Sequence, residues 1–289
     1  MKTSCLKMMS MGSRGQGIYR GIGGINMKTN KRVLVSFDGE CPYRCKHCYT
    51  YELEQLSINR SIKEIVDSIR EKEFDIIYVS QKKENFVNPN EGLELCEALF
   101  TEYHTDIVAI TRNVFNKQQI ERLKKLNHLM KDEGKQIFLS VSIPALDSAI
   151  ITEELSVIPS PKERIQFLRD LSGEGITTFL VMRPLYPNKI IPISEILQLV
   201  DICKDFVSCV LSSGLVTNAS ILERLGYREE DFSYNDNGKS DYLVGAIEGD
   251  MKYIDVREEI NILCDYCKKI GVPFFEHSMP AVNYIKNMI

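Results

Sequence analysis

A short strand-like segment followed by three closely spaced cysteines, Arg32–Phe37 (RVLVSF) and Cys41–Cys48 (CPYRCKHC), indicates both the fold and the chemistry of this chain. Three thiolates at C-x₃-C-x₂-C spacing can hold one iron–sulfur cluster, but they leave one iron of a [4Fe–4S] cubane without a protein ligand. An open coordination position is typical of catalytic metal sites, whereas structural sites are closed. We therefore predict that Cys41, Cys45 and Cys48 are the ligands of one [4Fe–4S] cluster.

Two other interpretations of the cysteines have weaker support. A structural zinc site needs four ligands, usually as two C-x₂-C pairs, and the other such pair, Cys264 and Cys267, lies far along the chain. That pair falls on the apolar face of a predicted helix, where cysteine packs as a small hydrophobic residue. A disulfide framework is disfavoured by nine cysteines, an odd number. A non-enzymatic protein that holds zinc or a redox-sensing cluster is the alternative from another functional class.

Composition and charge limit the classes of protein to which the chain can belong. With 289 residues, 44% of them hydrophobic, the chain can bury one large core, and a single α/β domain is expected. The net charge of −4 argues against a broadly basic surface for nucleic acid, although a local basic patch is left open. No apolar run approaches the roughly 18 residues that span a bilayer, and the first ten residues lack the apolar core of a secretory signal. We therefore predict a cytoplasmic location, reduced thiols, no membrane partner and an oxygen-sensitive cluster.

From Arg32 onward, strand-like and helix-like segments alternate, which is typical of parallel βα units. The six predicted strands are Arg32–Phe37, Asp75–Ser80, Ile107–Thr111, Gln136–Ile143, Thr177–Met182 and Val207–Ser212. The helices predicted with them are Ser61–Glu71, Glu91–Tyr103, one from Lys117 that ends before Gly134, Pro161–Ser172 and Ser194–Phe206. Six repeats are too few for the eight-stranded closed barrel, so we predict a partial (β/α)₆ barrel with its active site at the C-terminal strand ends.

These patterns divide the chain into three segments. We predict an N-terminal extension over residues 1–31, a partial barrel core over residues 32–215, and a C-terminal segment over residues 216–289 that completes or covers the barrel. Within the last segment, residues 218–250 are polar and turn-rich, which predicts a lid or an insertion. A final helix over Val256–Ile270 and a short strand over Pro273–Glu276 close the chain.

The cysteine run, with the aromatic His47 just before its third cysteine, resembles the signature of the radical S-adenosylmethionine (radical SAM) superfamily. In that superfamily, SAM chelates the open iron through its amino and carboxylate groups, and one electron from the cluster splits the sulfonium to a 5′-deoxyadenosyl radical. The resemblance implies two cofactors, the [4Fe–4S] cluster and SAM, and an enzyme that abstracts a hydrogen atom from its substrate. It also implies a low-potential electron donor such as flavodoxin or ferredoxin. The substrate is left open as a small molecule, a nucleotide or a peptide.

Several weaker motifs resemble the spore photoproduct lyase-like branch of that superfamily over about residues 32–190. These motifs are Val79-Ser80, Asn88–Glu91, Ile110–Arg112, Ser140–Ser142, Pro159–Arg164 and Arg183–Pro187. The chain lacks the GGE-P stretch that often follows the second strand, and the lysine of the branch appears as Arg112. Nucleic-acid repair or modification is therefore a second enzymatic alternative, which a salt-dependent affinity for DNA or RNA would favour.

Residues at the predicted strand ends are candidates for SAM contacts. By the resemblance, the His47 ring and the Tyr49 backbone lie against the adenine. A buried hydroxyl needs a hydrogen-bond partner, and an arginine fork suits a carboxylate, so polar groups at these ends can bind the ribose or the carboxylate of SAM. The candidates are Ser80, Thr111, Ser140, Ser142, Arg112 and Arg183, with Arg183 favoured of the two arginines. The alternatives are a solvent-exposed histidine, hydroxyls that bind nearby backbone, and arginines that pair with Asp or Glu.

Overall fold

The computed structural model describes residues 31–52, 59–80, 83–235 and 251–288. Its strands, in chain order, are β1 (Arg32–Val35), β2 (Ile76–Val79), β3 (Asp106–Thr111), β4 (Ile137–Ser142), β5 (Thr177–Leu185), β6 (Cys209–Gly214), β7 (Val216–Thr217), β8 (Lys252–Tyr253) and β9 (Phe274–Phe275). Within these ranges, one parallel sheet has the order β1-β2-β3-β4-β5-β6-β9, and β7 pairs with β8 in a separate antiparallel pair. Each of β1 to β5 pairs in parallel with the next strand in the chain. The carboxyl ends of β1 to β6 therefore lie at the same edge of the sheet.

Helices lie between successive strands of the parallel sheet, and one more helix follows the last strand. They are α1 (Ile62–Asp67), α2 (Pro89–Tyr103), α3 (Lys117–Asp132), α4 (Ala149–Thr152), α5 (Pro161–Gly173), α6 (Ile193–Cys203), α7 (Ala219–Leu225), α8 (Arg257–Ile270) and α9 (Ser278–Lys286). Capping boxes start α1, α3 and α5, where the side chains of Ser61, Asn116 and Ser160 accept hydrogen bonds from the third helical N–H. The Ser160-Pro161 start signal is therefore confirmed. No helix in the described ranges is long and apolar enough to cross a membrane.

The predicted α/β architecture with parallel strands is confirmed, with differences in detail. The short strand predicted over Pro273–Glu276 is β9, which adds a seventh parallel strand beside β6, and helices α4, α7 and α9 were not predicted. Strand β5 continues past Met182 to Leu185 although Pro184 lacks an N–H. The register shift between Met182 and Leu185 explains this, because the ladder is already interrupted where the proline lies.

The two faces of the sheet are covered by different elements. One face packs against helices that include α2, α3, α5 and α6, and forms the larger core. The opposite face, here called the inner face, carries Ile76, Tyr78, Val108, Phe138, Phe179 and their neighbours. Helix α9 packs Ala281, Val282 and Ile285 onto this inner face, and Lys286 pairs with Asp106 at the start of β3. Helix α9 thus covers the half of the inner face that is next to the N-terminal strand ends. The other half, next to the C-terminal strand ends, carries the polar residues Ser140, Ser142 and Arg183.

The three-segment division stays a prediction. Residues 1–30 of the predicted extension and residues 236–250 of the predicted lid lie outside the described ranges. The described part of the C-terminal segment includes α7, which continues the main core through Ile221, Leu222 and Leu225.

Candidate functional site

The cysteine loop follows β1 at the C-terminal edge of the sheet. Cys45 is buried, Cys41 and Cys48 are half-buried, and all three pack around Tyr43 and Ile158. Two backbone hydrogen bonds fix the loop: the Lys46 N–H donates to the Thr152 carbonyl at 3.0 Å, and the Cys48 N–H donates to the Cys45 carbonyl at 2.9 Å. The strand, the loop and the adjoining α4 therefore place the three thiols together at the edge where βα folds hold their sites.

The loop offers three thiols and no fourth ligand. The other metal-binding side chain in the loop is that of His47, and both of its ring nitrogens already contact protein groups. Within the described ranges, no group of three His, Cys, Asp or Glu side chains converges on a point that can hold a single metal ion. A structural zinc site needs four ligands, whereas the loop supplies three thiols. In a cubane each thiolate binds a different iron, so three thiols packed together can hold three irons and leave one open.

The His47 ring is buried between the ends of β3 and β5. Its Nδ1 lies 2.6 Å from Tyr186 Oη, and its Nε2 lies 3.3 Å from Arg112 Nη2. An arginine can only donate, so Nε2 accepts and the neutral ring carries its proton on Nδ1, facing Tyr186. Burial, followed by the Arg112 charge, lowers the pKa of His47 well below its usual value, which agrees with a neutral ring. The polar edge of the ring is therefore used within the protein, and an adenine contact through its face stays a prediction.

Arg112 belongs to a buried ion network beside the loop. Its Nε donates to Glu153 Oε1 at 3.0 Å, and the fully buried Arg164 donates to Glu153 Oε2 at 2.5 Å and to the Ser142 carbonyl at 2.6 Å. Burial works to lower the pKa of Arg112, but the electrostatic interactions of the guanidinium with Cys45, Glu153 and Glu84 outweigh it and raise that pKa. The guanidinium is permanently charged. The salt bridge predicted as the alternative role of Arg112 is present.

Thr111 lies on the opposite face of the sheet from Ser140 and Ser142. It is in register with Val141, whereas Ile110 is in register with Ser140. Its hydroxyl donates to Glu84 Oε1 at 3.0 Å, and the same buried carboxylate accepts from the Arg112 N–H at 2.7 Å. Burial raises the pKa of Glu84, although these hydrogen bonds oppose the rise. Thr111 therefore lies on the opposite face from Ser140 and Ser142, where its hydroxyl helps to order the loop containing Glu84, and its predicted contact with SAM stays a prediction.

Ser140 and Ser142 lie on the inner face near the C-terminal end of β4. Both hydroxyls are buried, and neither has a hydrogen-bond partner among the described residues. A buried hydroxyl without a partner is costly, so two of them on one face indicate a polar ligand at this position. Ser80 differs, because its Oγ accepts from the Asn85 N–H at 3.0 Å and its backbone has a left-handed φ of 73°. Ser80 is thus already used in shaping the loop after β2.

The two remaining candidates lie at different ends of the site. Tyr49 begins a one-turn 3₁₀ helix, Tyr49–Glu52, directly after the cysteine loop and packs against the main core. Arg183 is the last residue of β5 at a position on the inner face. Its Nη2 donates to the Glu276 carbonyl, just after β9. Arg183 therefore joins the end of β5 to the segment after β9, and its predicted contact with SAM stays a prediction.

Sequence reasoning missed Glu84 and Glu153, the two buried carboxylates beside the cysteine loop. Arg164 and Tyr186 lie in the motifs Pro159–Arg164 and Arg183–Pro187, but the sequence assigned them no contact near the loop. The one available signal was Arg164 on α5, whose burial could be expected from its place among the apolar positions Phe167, Leu168 and Leu171.

His277, next to the Arg183 contact, makes stability depend on pH. Burial, followed by the charges of Arg183 and Arg32, lowers the pKa of His277 to about 4. Below pH about 6.5 the unfolded chain binds a proton that the native chain does not, so the free energy of unfolding falls as the pH drops toward 4, by up to about 1.4 kcal/mol per pH unit. Burial raises the pKa of Glu276, which acts in the opposite direction. Urea denaturation of wild type and His277→Gln between pH 4 and 7 isolates the histidine, and equal slopes for both proteins would contradict this prediction.

Comparison with solved structures identifies the fold. The structure is similar to Streptococcus suis SuiB bound to S-adenosylmethionine, with a TM-score of 0.57 and 15% identity over 85% of this chain and 50% of that one. It is also similar to a spore photoproduct lyase variant with bound AdoMet and dinucleoside spore photoproduct, with a TM-score of 0.58 and 12% identity over 84% of this chain and 76% of that one. A third match is a radical SAM methyltransferase from Sphaerobacter thermophilus, with a TM-score of 0.52 and 17% identity over 84% of this chain and 65% of that one.

These matches establish that the chain has the fold of radical SAM enzymes, as the sequence resemblance predicted. The chain spans about half the length of SuiB. No protein-family model matches the sequence, and the comparison with curated proteins finds no match.

Proposed function

We propose that this protein is a radical SAM enzyme that holds one [4Fe–4S] cluster through Cys41, Cys45 and Cys48. The observation that carries the proposal is a loop of three grouped thiols without a fourth ligand, at the strand edge where this fold places its site. When bound, the cluster and SAM supply a 5′-deoxyadenosyl radical, after one electron from a low-potential donor of the flavodoxin or ferredoxin type, and that radical takes a hydrogen atom from the substrate. The residues of the chain bind and orient these groups.

The protein contributes a rigid loop and a polar inner face. The Lys46 and Cys48 amides fix the loop, and His47 is held neutral between Tyr186 and Arg112. Two serine hydroxyls on β4 have no partner in the described part of the chain and can donate to the carboxylate or ribose of SAM. Fixed donors of this kind orient a ligand with little reorganisation during the reaction.

The substrate is proposed to be a small molecule, a nucleotide or a peptide that enters at the C-terminal strand ends. Helix α9 covers the inner face from the opposite ends through Ala281, Val282 and Ile285. The room left for a substrate is therefore the half of the inner face next to the cysteine loop. The net charge of −4 gives no general attraction to nucleic acid, so a steeply salt-dependent affinity for DNA or RNA would favour the spore photoproduct lyase-like alternative instead.

Anaerobic reconstitution tests the proposal directly. The purified chain is reconstituted with iron and sulfide, reduced with dithionite and analysed by EPR with and without SAM, and 5′-deoxyadenosine is measured by chromatography. We expect a reduced cubane signal that SAM alters, and 5′-deoxyadenosine that accumulates only with SAM and reductant. A chain that binds iron or zinc through the cysteines, shows no SAM-dependent change and forms no 5′-deoxyadenosine would support the non-enzymatic alternative.

Ser140 and Ser142 are expected to contribute to SAM affinity but not to cluster assembly. Replacing either with alanine removes one hydroxyl that has no partner within residues 31–52, 59–80, 83–235 and 251–288. The loss of one hydrogen bond to SAM should weaken SAM binding about three- to tenfold. Calorimetric titration of SAM into the reconstituted variants measures the change, and iron content should equal that of wild type. Thr178→Val is the matched control, because its hydroxyl binds the Phe206 carbonyl and its register places it on the other face. Equal SAM affinity in both serine variants and wild type would exclude this role.

A further inference from the structure

A single arginine from the C-terminal segment grips the backbone of the cysteine loop. Arg224 Nε donates to the Lys46 carbonyl at 3.0 Å, and its Nη2 donates to the Cys48 carbonyl at 3.0 Å. The two carbonyls lie on either side of His47, and one belongs to a predicted cluster ligand. A planar guanidinium presents its donors in a fixed fork, so it defines the spacing between two carbonyls in a way that a lysine cannot.

Helix α7 places this guanidinium rigidly. Asn218 caps the helix by accepting from the Ile221 N–H at 2.9 Å, and Ile221, Leu222 and Leu225 are buried in the main core. The Ser220 hydroxyl, one turn earlier, lies 3.1 Å from Arg224 Nη1 and limits the side chain further. Helix α7 cannot move without exposing apolar surface. Arg224 therefore holds the cysteine loop at a fixed position relative to the core.

We infer that Arg224 is a positioning residue for the cluster loop and a source of positive charge that favours the reduced cluster. This inference rests on the proposed function for its electrostatic part. Reduction adds one negative charge beside Cys48, and a guanidinium bound to that residue's carbonyl stabilises it. The geometric part concerns the loop alone and holds in the metal-free protein. The C-terminal segment thereby has a specific role at the site besides covering the barrel.

Three variants separate position from charge. Arg224→Gln removes both the positive charge and the pair of hydrogen bonds to the Lys46 and Cys48 carbonyls. Arg224→Lys keeps the charge but cannot make both hydrogen bonds in the same geometry. Arg228→Gln is the matched control, because it makes the same change in net charge on the same segment at an exposed side chain. Hydrogen exchange of the Lys46 and Cys48 amides is measured in the metal-free proteins, and the midpoint potential is measured by EPR-monitored titration of the reconstituted proteins.

In Arg224→Gln, the two loop amides should exchange about tenfold faster than in wild type, since a charge-assisted hydrogen-bond pair is lost. The ratio of reduced to oxidised cluster at a fixed potential should fall about tenfold, which is ~59 mV for one electron. Arg224→Lys should show the faster exchange with a potential near that of wild type, and Arg228→Gln should change neither quantity.

Unchanged exchange at Lys46 and Cys48 in Arg224→Gln would overturn the positioning role. Faster exchange with an unchanged potential would overturn the electrostatic role. A wild-type chain that assembles no cluster would refute the proposed function and the electrostatic role, whereas the exchange measurement would still decide the positioning role.

Discussion

Alanine at Cys41, Cys45 or Cys48 should abolish cluster binding and SAM cleavage together. Each substitution leaves two thiols for a cluster that already has one open iron, and the loop contains no other free ligand because His47 is engaged on both nitrogens. Loss of an outer partner of a metal ligand typically costs 10–100-fold in affinity, so loss of a ligand itself should reduce 5′-deoxyadenosine formation by more than about 100-fold. Iron and sulfide content after anaerobic reconstitution, with the EPR spectrum, measure the first loss, and chromatography measures the second.

The fold should survive these substitutions, which separates loss of the cluster from unfolding. The loop lies at a strand end, while the strands and helices carry most of the buried apolar surface. Far-UV circular dichroism and the urea midpoint should therefore stay close to those of metal-free wild type. Cys267→Ala is the matched control, since this thiol is buried in the α8 contact with the core and its loss should cost about 1 kcal/mol without changing iron content. A full SAM-perturbed cubane signal in Cys45→Ala would refute the ligand assignment.

The parallel α/β fold could be predicted because its strands are short apolar runs between amphipathic helices. Ile62, Ile65, Val66 and Ile69 gave α1 by their spacing, and the Ser160-Pro161 pair gave the start of α5. The ends of elements were less certain, as in β5, where a register shift allows the strand to pass Pro184. Strand β9 and helix α9 are short, and their place is decided by packing on the inner face rather than by local pattern.

Only the part of the site that forms a local motif could be predicted. The cysteines lie within eight residues, so their spacing is visible in the sequence. The groups that hold the loop come from distant positions, as with Glu153 and Arg224, and nothing local distinguishes them from surface charges. Thr111 shows a second limit, because alternation gives two faces for a strand but the register with β4 decides which face is which.

The largest effect on stability is expected at Glu153. This carboxylate is fully buried, and it holds both Arg112 and Arg164. Glu153→Leu removes the carboxylate that both guanidiniums bind, and breaking a buried pair in this way typically costs about 3–5 kcal/mol. Arg164→Met should cost less, because Glu153 keeps Arg112 as a partner. In urea denaturation of the metal-free proteins, the free energy of unfolding should be lowest for Glu153→Leu, higher for Arg164→Met and highest for wild type.

The control and the functional consequence follow from where Glu153 lies. Arg122→Met, which breaks the partly exposed pair with Glu97, should leave the urea midpoint nearly unchanged. Glu153 adjoins Thr152, whose carbonyl accepts from the Lys46 N–H, so its loss should also loosen the cysteine loop and lower iron content. The Glu153 variant should therefore lose stability and iron together, whereas the cysteine variants lose iron alone. If Glu153→Leu were as stable as wild type, the network would be too hydrated to act as a buried ion pair, and its role in holding the loop would have to be abandoned.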